Sequence, residues 1–282
     1  MKCAWQAYMN LIPRSMRWEV EKFGRYDLQE FRMRTGIAPE MILRNGTHII
    51  SGQVKKEDIA FVINSASEYS PWVTESIANG YITAPGGHRI GICGPATVRD
   101  KKMQGISMAT SLCIRVARDF EGIASKASKI QESILIIGPP GSGKTTLLRD
   151  FIREKSNSGQ GSVSVVDERE EIFPFCRGQA CFSTGCHTDV LSGCGKAEGI
   201  DAVLRSMNPE WIAVDEITSK EDSLALLQAG WCGVQLVATA HAGSIKDYLT
   251  RPIYRPLVEN NLFTTAIVLQ RDKSWRFERI TV

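Results

Sequence analysis

An apolar run, Ser133 to Ile137, leads directly into Gly138-Pro139-Pro140-Gly141-Ser142-Gly143-Lys144-Thr145, and a helix-patterned stretch follows. The spacing G-x-x-x-x-G-K-[ST] leaves such a chain few ways to fold, because the loop has to join a buried strand to a crossover helix. Glycines let the loop wrap closely enough for backbone N–H groups to face phosphate oxygens, and the positive end of the next helix adds to the attraction. The segment from Gly138 through Thr145 and Thr146 therefore reads as a cradle for the phosphates of ATP. Lys144 suits the β- and γ-phosphates, and the Thr145 hydroxyl suits Mg²⁺. From Thr145 to Lys155, Leu147, Leu148, Phe151 and Ile152 share one helical face, and Arg149, Asp150, Arg153 and Glu154 are expected to meet water. Ser156-Asn157-Ser158-Gly159 stops the helix.

Three further strand-like runs end in polar groups. Ile212-Ala213-Val214 runs into Asp215-Glu216, an arrangement that allows one acid to hold Mg²⁺, directly or through water, while the other orients the attacking water. Asp215 is assigned to the metal and Glu216 to the water; alone, the same run would read equally as a buried strand ending in a solvated turn. Val165-Val166-Asp167-Glu168-Arg169 repeats the pattern, and Glu168 either shapes the Mg²⁺ and water network or belongs to a charged, solvated loop. Leu236 to Ala240 ends at His241, which donates a hydrogen bond in either protonation state and so suits a γ-phosphate sensor, or is an ordinary capped histidine. Phosphoryl transfer also gains from an arginine supplied across an interface. Arg32, Arg34, Arg89 and Arg115 are the candidates, with Arg89 preferred for its place beside a glycine turn, although each pairs as readily with a carboxylate of its own domain.

With 282 residues, 43% of them hydrophobic, the chain can bury a large core or two ordinary ones. Lys55 to Ala66 places Ile59, Val62, Ile63 and Ala66 on one helical face, and Tyr81-Ile82-Thr83 and His88 to Ile92 flank the turn Ala84-Pro85-Gly86-Gly87 as a hairpin. The stretch from Glu121 to Lys129 is small and polar. It divides an N-terminal α+β domain, residues 1–120, from an α/β domain, residues 121–282, in which Ser133–Ile137, Val163–Val166, Trp211–Val214 and Leu236–Thr239 alternate with helical stretches as in a parallel sheet. Phe263 to Leu269 and Ser274 to Arg279 are expected to form an antiparallel hairpin that closes the sheet. A net charge of +3 gives no electrostatic argument for nucleic acid or membrane, and no apolar run approaches the roughly 20 residues that span a bilayer. The N-terminus lacks the pattern of a signal peptide, so a cytoplasmic location is the expectation. Cys176, Cys181, Cys186 and Cys194, with His187, lack the paired spacing of a zinc knuckle, and no structural metal is expected.

Together these residues resemble the secretion-ATPase superfamily of type II and type IV systems, and within it the stage III sporulation AA ATPases of endospore-forming bacteria. The resemblance covers nearly the whole chain after about residue 28. It is carried by Gly86-Gly87-His88-Arg89-Ile90-Gly91-Ile92-Cys93-Gly94, Gly138 to Thr146, Val166 to Arg169, Thr188 to Leu191, Lys196 to Gly199, Arg205 to Glu210, Val214 to Ile217 and Ala238 to His241. It implies a RecA-like P-loop NTPase core with a smaller N-terminal α+β domain. It also implies a Walker A at Gly138 to Thr145, an Asp box at Asp167-Glu168, a Walker B at Asp215-Glu216 and a His box at His241. Further implications are a homohexamer, membrane proteins of a secretion channel as partners, and a place at the mother-cell face of the forespore membrane. No direct nucleic-acid partner is expected, although a nucleic-acid-stimulated motor and a low-turnover scaffold are the alternative functions. His187 and Thr218 depart from the family pattern, where arginine and glycine are usual.

Overall fold

In the computed structural model, which describes residues 1–67, 80–99, 102–159, 161–176 and 178–281, the chain forms two units. One is Met1–Asp119 with Pro174–Phe182, the other Phe120–Phe173 with Ser183–Val282. The first is α+β. Its strands are β1 (Leu28–Arg34), β2 (Glu40–Leu43), β3 (Gly46–Ile49), β4 (Tyr81–Ala84), β5 (His88–Cys93) and β8 (Ser111–Arg115), with β6 (Ala96–Arg99) and β7 (Lys102–Ile106) as a separate ribbon. The six form an antiparallel sheet in the order β3-β2-β1-β8-β5-β4. Period-two alternation points Phe31, Met33, Ile90, Ile92, Leu112 and Ile114 into one core. Helices α1 (Trp5–Leu11), α2 (Arg17–Asp27) and α3 (Lys56–Ser67) supply Tyr8, Leu11, Val20, Ile59 and Val62 to that core.

The second unit is built on seven strands: β9 (Ile134–Ile137), β10 (Val163–Asp167), β13 (Thr188–Ser192), β14 (Trp211–Val214), β15 (Gln235–Ala240), β16 (Thr265–Leu269) and β17 (Trp275–Arg279). The short β11 (Phe175–Cys176) and β12 (Gln179–Ala180) pair with each other in the segment that belongs to the first unit. The order is β13-β10-β14-β15-β9-β16-β17, parallel throughout except for the edge hairpin β16–β17. Side chains of β9, β10, β14 and β16 are buried along their whole length, as strands covered on both faces require. Crossovers are made by α4 (Lys144–Asn157), α5 (Lys196–Ser206) and α6 (Lys220–Trp231), and α7 (Ile245–Thr250) and α8 (Arg255–Glu259) precede β16. Strand β15 lies between β9 and β14, so its C-terminal end separates the ends of the other two.

One expectation for α4 fails. Arg149, Asp150 and Arg153 do not face water: all three are buried, together with Lys155 and Ser156. The chain after Phe120 covers this side of the helix and offers it polar partners. Asp150 accepts the N–H groups of Gly122 and Ala124 at 3.1 and 2.7 Å, and the Arg153 guanidinium reaches Asp150 at 3.1 Å and the Phe120 carbonyl at 3.1 Å. A helix of amphipathic pattern is thus covered on both faces, the second by partners that satisfy its charges.

Candidate phosphate-loop site

The loop after β9 wraps because its glycines allow what other residues do not. Gly141 and Gly143 take φ of 72° and 100°, in the left-handed region. At Gly138 an added Cβ would lie 2.8 Å from Ser142 Oγ and 3.0 Å from Leu269 Cβ and O, so the loop's first residue packs directly on the end of β16. Lys144 turns back over the loop. Its Nζ donates to the carbonyls of Gly138 and Pro139 at 2.9 and 3.2 Å, and burial lowers its pKa while Asp215 and Glu216 pull the other way. Ser142 Oγ is buried with no hydrogen-bond partner among the described residues. Pro139, Pro140 and Thr146 complete the loop and the first turn of α4.

The ends of β14 and β15 meet at this loop. Asp215 Oδ2 accepts a 2.7 Å hydrogen bond from Thr145 Oγ1, and Oδ1 accepts one from Thr239 Oγ1. The same Thr239 oxygen accepts the Glu216 N–H at 2.8 Å, and the Thr239 carbonyl accepts the Ile217 N–H at 2.9 Å. Glu216 sits at φ 51°, an uncommon conformation for this residue type, and these bonds hold it there. Its carboxylate lies 3.2 Å from His241 Nε2 and 3.7 Å from the Arg169 guanidinium. His241 Nδ1 lies 3.5 Å from Lys144 Nζ. An ammonium can only donate, which assigns the ring proton to Nε2 and makes the imidazole a bridge from Lys144 to Glu216.

At the end of β10 the paired acids separate by role. Asp167 is buried and accepts the N–H groups of Glu171, Ile172 and Phe173 at 2.9, 2.9 and 2.8 Å. Burial pushes its pKa up to about 6 against those three bonds, and the charge of Asp215 adds to the rise. Glu168 is exposed and pairs with the buried ammonium of Lys196, at the start of α5. Asp167, Glu168, Arg169, Glu171, Lys196, Asp215 and Glu216 line one depression. Glu168, Asp215, Glu216, His241 and the loop from Gly138 to Thr146 therefore share the second unit, at the carboxyl ends of its strands.

Arg89 belongs to the first unit, where its guanidinium lies over the Tyr81 ring, 4.4 Å from the centroid. Arg32, Arg34 and Arg115 pair with Glu30 or Glu40 of the same unit. His88, within the glycine-rich motif, is a buried tie: Nδ1 accepts the Ala117 N–H at 3.0 Å and Nε2 lies 3.0 Å from the Ala4 carbonyl. His187 bonds to the Ser156 carbonyl at 3.0 Å, and Thr218 donates its N–H and hydroxyl to Asp222, which forms a capping box with Ser219 at the start of α6. Thr239 and Lys196 lie in stretches that carry the family resemblance, yet the sequence assigns neither a role. A polar side chain within the otherwise apolar run Leu236–Ala240 is the available signal for Thr239, whereas the partner of Lys196 lies 28 positions away.

Residues 6–277 match the family described as Sporulation stage III, protein AA. Over 276 residues the chain is 37% identical to Stage III sporulation protein AA of Bacillus subtilis, a match that covers 93% of this chain and 90% of that protein. The chain belongs to this family. It is also 30% identical over 271 residues to Protein SEEDLING PLASTID DEVELOPMENT 1 of Arabidopsis thaliana, of whose length it spans 36%. Among solved structures, the pilus retraction motor PilT with bound ADP is similar at a TM-score of 0.60 and 14% identity, covering 89% of this chain and 76% of that one. The ATPase DotB of Legionella pneumophila is similar at 0.56 and 18%, covering 95% and 80%. The fold of this chain is accordingly the one these two structures share: a RecA-like P-loop core with a smaller N-terminal α+β domain.

Proposed function

We propose that this member of the stage III sporulation AA family is a Mg²⁺-dependent ATPase that powers a secretion channel between mother cell and forespore. The observation that carries the reading is the Thr145–Asp215 pair. A hydroxyl and a carboxylate 2.7 Å apart, beside a lysine folded over a glycine loop, form the sparse oxygen set that Mg²⁺ uses when phosphates and water complete its shell. The Ser142 hydroxyl, buried with no hydrogen-bond partner among the described residues, and the Lys144 ammonium, held on two loop carbonyls beside His241 Nδ1, fit a polyphosphate at the same place.

Mg²⁺, when bound, neutralises charge developing on the phosphates. The remaining chemistry belongs to the chain. The loop N–H groups and Lys144 hold the phosphates, and Thr145 and Asp215 are the residues that would hold the cation. Glu216, fixed by Thr239 in a left-handed conformation, orients the attacking water and accepts its proton. His241 links Lys144 to Glu216 and so reports to the base whether Lys144 has been drawn to a phosphate. Glu168, held by Lys196, adds charge at the rim. Arg89 is proposed as the arginine supplied in trans.

The resemblance to secretion ATPases supports a homohexamer that works with membrane proteins of the channel from the mother-cell side of the forespore membrane. Among the described residues no helix is long and apolar enough to cross a membrane, which fits a peripheral position. Phosphate release from Mg²⁺-ATP by the purified chain tests the reading. Wild type is expected to turn over, Lys144→Ala to lose ATP binding, and Glu216→Gln to bind ATP with turnover reduced at least tenfold. A wild-type chain that binds no ATP in the presence of Mg²⁺, or a Glu216→Gln variant with wild-type turnover, sinks it.

A further inference from the structure

The hairpin turn between β16 and β17 is tied to the phosphate loop. Its residues are fixed locally: the Gln270 N–H donates to the Ser274 carbonyl at 2.9 Å and the Lys273 N–H to the Gln270 carbonyl at 3.2 Å. Asp272 Oδ1 accepts both the N–H and the hydroxyl of Ser274, at 3.0 and 2.6 Å. Lys273 sits in this turn at φ 72°, a conformation that disfavours any residue with a Cβ. A glycine there would be unstrained, yet the position carries a lysine whose Nζ donates to the Gly141 carbonyl. Its stem passes over the loop as well, with Cδ 3.9 Å from where a Cβ on Gly143 would lie. Contact between Leu269 and Gly138 sets the base of the hairpin against the base of the loop, so the geometry does not depend on the lysine alone.

We propose that Lys273 is a positioning residue for nucleotide binding, which holds the Gly141–Ser142 peptide in one orientation. The inference rests on the nucleotide-binding reading above. In a trans peptide the C=O and the next N–H point in opposite directions. A cation that holds the Gly141 carbonyl on the outer side keeps the Ser142 N–H turned the other way, toward the interior of the loop, where it now meets the Pro139 carbonyl at 3.2 Å. Glycine at 141 makes this peptide the one most able to flip, because left- and right-handed conformations cost it about the same. Flipping would present a carbonyl oxygen where a phosphate needs a donor. Lys273 therefore raises the fraction of loops competent to bind, and apparent affinity scales with that fraction.

Lys273→Met keeps the stem and removes the charge. Since the side chain is exposed, its removal is expected to leave the melting temperature unchanged while ATP binding, followed with a fluorescent ATP analogue, weakens roughly fivefold. The effect should fall on KM, with kcat at saturating ATP within about twofold of wild type, and Lys273→Arg should restore affinity. Wild-type affinity in Lys273→Met, or tighter binding, overturns the proposal; so does a loss confined to kcat. A wild-type chain that binds no ATP removes the proposed function and this inference with it. Normal wild-type binding that Lys144→Ala abolishes and Lys273→Met leaves intact removes this inference alone.

Discussion

Replacing Thr239 with valine removes one oxygen that serves two partners. The side chain is fully buried, and its hydroxyl both donates to Asp215 and accepts the Glu216 N–H. Losing an acceptor for a poorly solvated N–H costs about 1–3 kcal/mol, and losing a hydrogen bond to a carboxylate about 1.5–3 kcal/mol. Asp215 and Glu216 are only partly buried, so water recovers part of this, and a net loss of about 2–3 kcal/mol is expected. For a domain of this size that lowers Tm by roughly 4–10 °C. The effect on turnover should be larger in proportion. Glu216 remains at φ 51° because the bonds around Thr239 hold it there, and a displacement of about 1 Å at a reacting group can cost on the order of a hundredfold. Thermal melts and phosphate release from Mg²⁺-ATP measure the two effects, with Thr239→Ser, which keeps the hydroxyl, expected to stay near wild type in both. If Thr239→Val melts within about 2 °C of wild type and turns over at the wild-type rate, the double role assigned to this hydroxyl is wrong.

Two more predictions concern buried groups away from the phosphate loop. Lys155 is fully buried, donates to the carbonyls of Ser128 and Ile130 and to Gln131, and lies 4.4 Å from the Trp211 ring centroid. Lys155→Met is expected to cost about 2–4 kcal/mol by denaturant titration while ATP affinity stays within about twofold of wild type. His88 is held neutral, its pKa lowered to about 4 chiefly by burial, and its two nitrogens are committed to Ala117 and Ala4. Because the folded value lies below the unfolded 6.5, the stability His88 contributes is complete above pH 6.5 and is lost as pH falls toward 4. Imidazole NMR should show one neutral tautomer with the proton on Nε2 from pH 6.5 down to about one unit above the folded value, and a ring that titrates near 6.5 in the folded chain would contradict the placement.

Four parallel strands of the second unit, the phosphate loop and the two hairpins were legible because each is set by short-range pattern. Four consecutive apolar residues before Gly138, the alternation around Gly86-Gly87, and the acids that end Trp211–Val214 all carry their meaning within a few positions. What stayed hidden was pairing across distance. Arg149, Asp150 and Arg153 follow a solvent-face rule, and nothing near them shows that residues 120–124 and 171–172 will cover and satisfy them. Arg32 and Arg115 read as candidates for transfer across an interface until the antiparallel pairing of β1 and β8 brings both to Glu30. The segment Pro174–Phe182 joins the first unit although it lies deep within the sequence of the second, a return path that composition does not mark.

The buried face of α4 also explains how the strand ends are kept in register with the loop. Arg149 donates to the carbonyls of Ile172 and Glu171, while Asp167 accepts the N–H groups of the same two residues and of Phe173. The segment that follows Glu168 and Arg169 is thus gripped on its carbonyl side by the helix that begins at Lys144 and on its amide side by the strand end. A shift of that helix would move the segment, and with it the Arg169 guanidinium that faces Glu216. Glu216 is held in turn by Thr239 and approached by His241, which reaches back to Lys144. The path closes on the residue where it began. Any group that draws Lys144 off the Gly138 and Pro139 carbonyls perturbs His241 and Glu216 through direct contacts, so the position of Lys144 and the orientation of the Glu216 carboxylate are coupled through side chains and do not require the sheet to move.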